Sequence, residues 1–378
     1  RIKLEDYTNS TILEYNYEDG WYDITDGEGF SLTLIDPVNT ELDNWDRKDS
    51  WRASAYADGS PGADDSEFIP VPGAVVINEL LANSPGNSPD WIELYNTTDA
   101  AIDISGWYLS DSGLNLTKYE IPVGTVIHPN GYIVFYEDQH FGNPGLATSF
   151  ALSGDGERVY LSSAQNGVLT GYRQEEDFGA SETGVSFGRY YKQSTGNYNF
   201  VAMSENTPGS ANSYPKVGPI VINEIMYNPP LPDEQSEYVE LHNISAGTVN
   251  LGGWRFTDGI DFTFPDGVTV PAGGYLLVVK HPEAFMLSYP AVPVDIVYGP
   301  YDGNLSNAGE RLELSMVGDI RVDRVSFSDG SHPENCPGGV DLWPVEADGG
   351  GSSLTRKVTS DYGNDPDNWN ASAPSPGE

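Results

Sequence analysis

Basic residues are scarce in this chain. Its 378 residues hold 18 Lys and Arg against 57 Asp and Glu, a formal net charge of -39 at pH 7. Nucleic acid needs basic side chains to neutralise phosphates, and anionic membranes attract polybasic segments. Neither kind of partner is expected. The charge fits a soluble protein that faces salt, divalent cations or a basic partner. Cysteine is nearly absent: Cys336 stands alone, so no intrachain disulfide can form and an inert thiol is expected. No apolar run approaches the roughly 18 residues that mark a membrane-spanning helix, so no membrane insertion is expected. The five histidines, His128, His140, His242, His281 and His332, show no zinc-like spacing. No serine-nucleophile elbow, phosphate loop or dinucleotide fingerprint is recognised. Helix signals are confined to Pro282-Glu283-Ala284-Phe285-Met286-Leu287, where proline suits a first-turn position.

Turn-formers and aromatics are plentiful instead. There are 42 Gly and 27 Pro, and aromatics make 12% of the chain, too many for a disordered one. Short apolar runs alternate with Gly, Pro, Asn and Asp, as in a β-sandwich or barrel. The chain also repeats itself. Val76-Ile77-Asn78-Glu79-Leu80 and Val221-Ile222-Asn223-Glu224-Ile225 open two units, 145 positions apart (222 minus 77). Three stretches close alike: Trp51 to Pro61-Gly62, Phe200 to Pro208-Gly209, and Trp369 to Pro376-Gly377. The period exceeds the roughly 20–50 residues of a solenoid, so each unit is a domain.

The later unit answers the earlier one piece by piece. Tyr238-Val239-Glu240-Leu241-His242-Asn243 answers Trp91-Ile92-Glu93-Leu94-Tyr95-Asn96, and Leu251-Gly252-Gly253-Trp254 answers Ile104-Ser105-Gly106-Trp107. Arg1-Ile2-Lys3-Leu4 matches Arg311-Leu312-Glu313-Leu314, Ile12 to Tyr15 matches Val322 to Val325, and Ser31-Leu32-Thr33 matches Ser353-Leu354-Thr355. The expected organisation is therefore the back part of one unit over residues 1–66, a full unit over 67–214 and a full unit over 215–378. The start falls inside a unit, so the lack of a signal-peptide pattern says nothing about export.

The combination of Ile-Asn-Glu, Trp/Tyr-Ile/Val-Glu-Leu-x-Asn, Leu/Ile-x-Gly-Trp and Pro-x-Gly-Tyr before a hydrophobic run resembles the lamin tail domain family. The resemblance implies immunoglobulin-like β-sandwiches, two complete and one partial, in agreement with the strand count and turn spacing. The chain lacks the heptads and basic character of nuclear lamins. It looks like the bacterial version, which the family places in large secreted or surface proteins, in tandem and beside hydrolase domains. The family brings no catalytic motif, and fold alone does not fix function.

Acids recur at matching strand positions: Glu79 with Glu93, and Glu224 with Glu240, preceded by Asp90 and Glu237. Such pairs could hold Ca²⁺, a hard cation that takes oxygen ligands, or could cap strand ends and fix loops. Asp365 and Asp367, in Asn364-Asp365-Pro366-Asp367-Asn368, form a second candidate for Ca²⁺ or for plain turn-making. Trp107 and Trp254 read as core plugs. Trp21, Trp343, Tyr190 and Tyr191 read as less internal, suited to contacts between domains or to sugar stacking. Asn96 and Asn243 are among six residues that begin Asn-x-Ser/Thr triplets.

The expected function is a non-catalytic extracellular or cell-surface protein of a bacterium, structural or adhesive. It would build a filament or surface layer by strand complementation with other copies of itself or neighbouring surface proteins. The alternative is an accessory binding region of a larger secreted hydrolase.

Overall fold

The computed structural model describes residues 1–378 apart from 39, 231–234, 334–335 and 337–338. The described residues fall into two compact units. The first comprises 1–153, 157–178 and 207–211, and the second comprises 154–156, 179–206 and 212–378. The chain is all-β, and α1 (Pro282–Ser288) is the α-helix found among the described residues, where Pro-first chemistry placed it.

In the second unit the Val/Ile/Leu-rich runs form β16 (Ile220–Met226), β17 (Tyr238–Asn243), β21 (Tyr275–Val279), β22 (Val297–Tyr298), β25 (Ser353–Arg356) and β26 (Trp369–Ser372). They make one sheet in the order β22-β21-β17-β16-β25-β26. A second sheet joins β19 (Arg255–Asp258), β23 (Gly309–Met316) and β24 (Ile320–Ser328). Side chains alternate across a strand. Val239 and Leu241 therefore face a core that Phe256, Leu312, Leu314, Val325 and Phe327 fill from the other sheet. The remaining face of the large sheet is covered as well. Tyr238, Leu277 and Val279 pack on Phe285 of α1. An outward position in β17 is thus shut off from water, which matters below. The second unit also contains the hairpin of β14 (Phe187–Lys192) and β15 (Asn197–Ala202).

The first unit repeats the plan. A row of β11 (Tyr132–Tyr136), β6 (Trp91–Asn96) and β5 (Val75–Leu81) faces a row of β13 (Val168–Gly179), β12 (Gly156–Gln165), β8 (Tyr108–Ser110) and β9 (Tyr119–Glu120). Each unit adds one two-residue ladder, β7 (Ile102–Asp103) with β10 (Val126–Ile127) in the first and β18 (Val249–Asn250) with β20 (Thr269–Val270) in the second. Tyr172 joins the rows of the first unit: its hydroxyl accepts from Val75 N at 2.8 Å and donates to Val75 O at 2.6 Å. In the second unit a buried ion pair does this work. Asp323 on β24 accepts from Ile222 N at 2.8 Å, and Arg356 reaches Asp323 at 2.7 Å and Ile222 O at 3.2 Å. Ahead of these rows come two short hairpins, β1 (Ile2–Glu5) with β2 (Thr11–Tyr15) and β3 (Leu32–Leu34) with β4 (Trp51–Ala53).

Both fold expectations hold: this is an immunoglobulin-like sandwich, with Trp107 and Trp254 buried. Trp21 and Trp343 are buried too, contrary to the sequence reading. Trp343 packs on Trp369 at 6.0 Å within the core of the second unit, and Trp21 packs on Trp51 at 6.4 Å, so ring-on-ring contact draws both indoles inward. Tyr190 is half-buried between Tyr214 and Tyr362, while Tyr191 stays exposed.

Candidate functional site

The recurring glutamates meet through a backbone irregularity. Along β5 and β6, Ile77 pairs with Leu94 but Glu79 pairs with Glu93, so Asn78 is an extra residue. Asn223 is the extra residue between the Ile222–Leu241 and Glu224–Glu240 pairs. One inserted residue is a β-bulge, and it resets the alternation beyond it. Ile222 and Ile225, three apart, both enter the core, and Glu224 is turned to the opposite face beside Glu240. Glu79, Glu93, Glu224 and Glu240 are all 0% exposed.

Two carboxylates buried side by side are costly unless donors satisfy them. The bulged asparagines supply one donor each: Asn78 donates to Glu93 Oε1 at 2.7 Å, and Asn223 to Glu240 Oε1 at 2.8 Å. The closing stretches supply the rest. Thr207 donates its backbone N–H to Glu79 at 3.1 Å and its hydroxyl at 2.7 Å, and Gly209 N donates to Glu93 Oε2 at 2.5 Å. In the second unit Ser375 N donates to Glu224 Oε1 at 3.0 Å and Gly377 N to Glu240 Oε2 at 2.5 Å, while Ser353 Oγ donates to Glu224. Proline in the middle of Thr/Ser-Pro-Gly presets one turn residue, and glycine supplies the positive φ that the next requires. Gly209 has φ 85° and Gly377 φ 90°. Each unit's closing turn is thus latched onto a carboxylate pair at its opening.

Burial pushes the carboxyl groups of Glu93 and Glu240 up to about 7 each. The N–H donors of Gly209 and Gly377 and the asparagine amides pull down, and the facing glutamate pushes up. These two groups titrate near neutrality inside the fold.

The other acids singled out in the sequence stand apart from these pairs. Asp90 accepts from Ser84 N at 2.9 Å and closes its loop. Glu237 accepts from the Tyr301 hydroxyl at 2.8 Å and Leu305 N at 3.2 Å. Asp365 caps the single turn Pro366–Asn368, accepting from Asp367 N at 3.1 Å and Ser194 Oγ at 2.5 Å. Asp367 offers its backbone oxygen to Lys357 at 2.8 Å. Among the described residues, no group of three or more His, Cys, Asp or Glu gathers where it could hold a metal ion.

Sequence reasoning did not assign Asn78, Asn223, Thr207, Gly209, Ser375 or Gly377 to this arrangement. The signal was present, since openings and closings recur together. It also passed over Gly184-Val185-Ser186-Phe187-Gly188, which does spell Gly-x-Ser-x-Gly. Ser186 is buried, takes Asn206 Oδ1 on its backbone N–H at 3.1 Å, and leads into a strand. A nucleophile elbow instead exposes its serine between a strand and a helix.

A second recurring device is the asparagine that ends β6 and β17. Asn96 donates to the carbonyls of Ala100, Ile127 and His128, and Asn243 to those of Gly247, Val270 and Pro271, at 2.7 to 3.1 Å. Beside it an aromatic pair repeats: Tyr95 stacks on Tyr132 at 4.6 Å, and His242 on Tyr275 at 4.3 Å.

Sandwiches closed by their own terminal turns define a class of tandem immunoglobulin-like β-modules. A family model described as Lamin Tail Domain matches residues 70–176 and 214–329, more than half of the chain, and the chain belongs to that family. Among solved structures, the crystal structure of a DUF4876 family protein from Bacteroides thetaiotaomicron is similar at 11% identity and a TM-score of 0.29. That match covers 77% of this chain and 88% of the other. No curated protein matches the chain.

Proposed function

We propose that this chain is a non-catalytic structural or adhesive protein on the outside of a bacterial cell, whose lamin tail modules hold and connect. One observation supports the reading above others. The acid arrangement that both units repeat turns its oxygens toward the unit's own closing turn. A catalytic carboxylate must instead reach a proton on a substrate. The acidic surface suits salt and basic or cation-bridged partners, and calcium belongs to the proposal as a guest of that surface.

The test combines sedimentation of the purified chain with bacterial envelope fractions, electron microscopy of the chain alone, and a panel of chromogenic ester, glycoside and phosphodiester substrates. Co-sedimentation, with filaments or a lattice in the images and no turnover, is the expected result. Turnover that disappears when one acidic residue is changed would overturn it.

A second reading, an accessory binding region of a secreted hydrolase, draws on the β14–β15 hairpin. Tyr191 and Tyr198 are 40% and 52% exposed with ring centroids 5.0 Å apart, and the Arg189 guanidinium lies 3.8 Å from the Tyr198 centroid. Exposed rings suit sugar stacking, and a glycan array run with Tyr198→Ala beside the parent chain decides it. Parent binding that the variant loses favours this reading.

A further inference from the structure

We infer that a small cavity in the second unit, between β24 and the β14–β15 hairpin, binds a weakly hydrated monovalent anion of halide size, held by Arg324 and Arg321. The inference is independent of the functional reading above. Three observations carry it.

The first is a bulge. Along β23 and β24, Leu314 pairs with Asp323 but Ser315 pairs with Arg321, so Val322 is an extra residue. One inserted residue resets the alternation, and Arg321 and Arg324, three apart, come to share a face. Strand pairing sets Arg324 opposite Glu313, yet Arg321 Nε takes Glu313 Oε2 at 2.7 Å. Among the described residues the buried Nε of Arg324 meets no acceptor. The guanidinium lies against the neutral hydroxyl of Tyr362, which donates onward to Asn199 Oδ1 at 3.3 Å.

The second is the space itself. A cavity of about 40 Å³ has Arg321, Arg324 and Lys216 in its lining, beside the apolar Phe187, Val201 and Val217. Asp323 is the acid of the lining, and it is already taken by Arg356 at 2.7 Å and Ile222 N at 2.8 Å. Lys216 is paired with Glu182. The volume is a few times the roughly 10–15 Å³ that one water needs, enough for a halide and too small for a sugar ring.

The third is the balance of charge. In a chain with only 18 Lys and Arg, Lys192 and Arg356 join Lys216, Arg321 and Arg324 around this space. Burial pushes the Arg321 guanidinium down, and the like charge of Arg324 pushes the same way against the pull of Glu313. Burial also pushes the Lys192 amine down; Asp365 pulls it up and Arg324 pushes it down again. Both cations therefore feel Arg324 as a repulsion. A buried charge without a counter-charge is costly. An anion beside Arg324 removes that cost, whereas a water brings no charge. Apolar walls favour an ion that gives up its hydration easily. Bound there, the ion would tie β24 to the hairpin that carries Tyr191 and Tyr198.

The experiment uses the full chain: crystals soaked in sodium bromide and read by anomalous diffraction, and thermal melts at fixed ionic strength in which bromide replaces fluoride. An anomalous peak is expected within hydrogen-bond reach of Arg324. The parent's melting temperature should rise relative to that of Arg324→Gln by a few degrees for each tenfold step in bromide once the site fills. Ala202→Val, which fills the space and keeps the charges, should lose both the peak and the rise. That variant carries the test if Arg324→Gln does not fold. A water at the site without anomalous signal, bromide on exposed basic side chains alone (an adventitious ion only), or an equal bromide response in parent and variants would each overturn the inference.

Discussion

Glu93 and Glu240 hold protons more tightly in the folded chain than in the unfolded one, where a glutamate titrates near 4.5. Between about pH 4.5 and 7 the folded state therefore carries the extra protons, and stability falls as pH rises. Their contribution is full below about 4.5 and lost above about 7, and every tenfold gain in proton affinity on folding is worth about 1.4 kcal/mol. The melting temperature should be higher at pH 5 than at pH 8. Glu93→Gln and Glu240→Gln should flatten that slope; an unchanged slope in calorimetry refutes the assignment. Thr207→Val removes the hydroxyl donor to Glu79 while keeping the backbone N–H. It should cost about 1–3 kcal/mol in denaturant titration, the penalty for a buried acceptor left short of a partner. The glutamates themselves were legible because they recur. Their partners were not, since Thr207 lies 128 positions from Glu79 and Gly209 lies 116 from Glu93. Only the fold brings such distant donors together.

The strands were largely readable because alternation and turn chemistry are local. The hairpin between β12 and β13 turns at Asn166 (φ 54°) and Gly167 (φ 78°). Positive φ at both central residues is the Asn-Gly signature of a tight hairpin. The bulges were not readable, because an extra residue shows only against its partner strand. Asn223→Ala keeps the bulge but removes the amide that Glu240 accepts, and should cost about 1–3 kcal/mol in chemical denaturation. The staple between the sheets was equally hidden. Arg356→Met leaves Asp323 buried without its cation, and about 3–5 kcal/mol of destabilisation is expected from equilibrium unfolding. A smaller loss would mean that the Ile222 N–H alone satisfies that acid.

At the scale of the molecule, composition spoke most directly. A net charge of -39 repels itself in the compact state. Raising monovalent salt from about 0.01 M to about 0.1 M shortens the screening length from about 30 Å to about 10 Å. The melting temperature should rise across that range and then level off; a fall would mean that attractive pairs such as Arg173–Glu28 dominate the surface. Calcium is tested alongside: a chelator lowers the melt if surface acids hold the ion, and an unchanged melt removes it from the account. The latch at Ser375-Pro376-Gly377 also bears on handling of the protein. Replacing Ser375, Pro376 and Gly377 by a flexible linker of equal length would remove the donors over Glu224 and Glu240 and wet two acids that the fold keeps from solvent. Those three residues serve as a stopper, so an insertion or handle placed among them should convert a stable unit into a fragile one, read as a lowered midpoint in equilibrium unfolding.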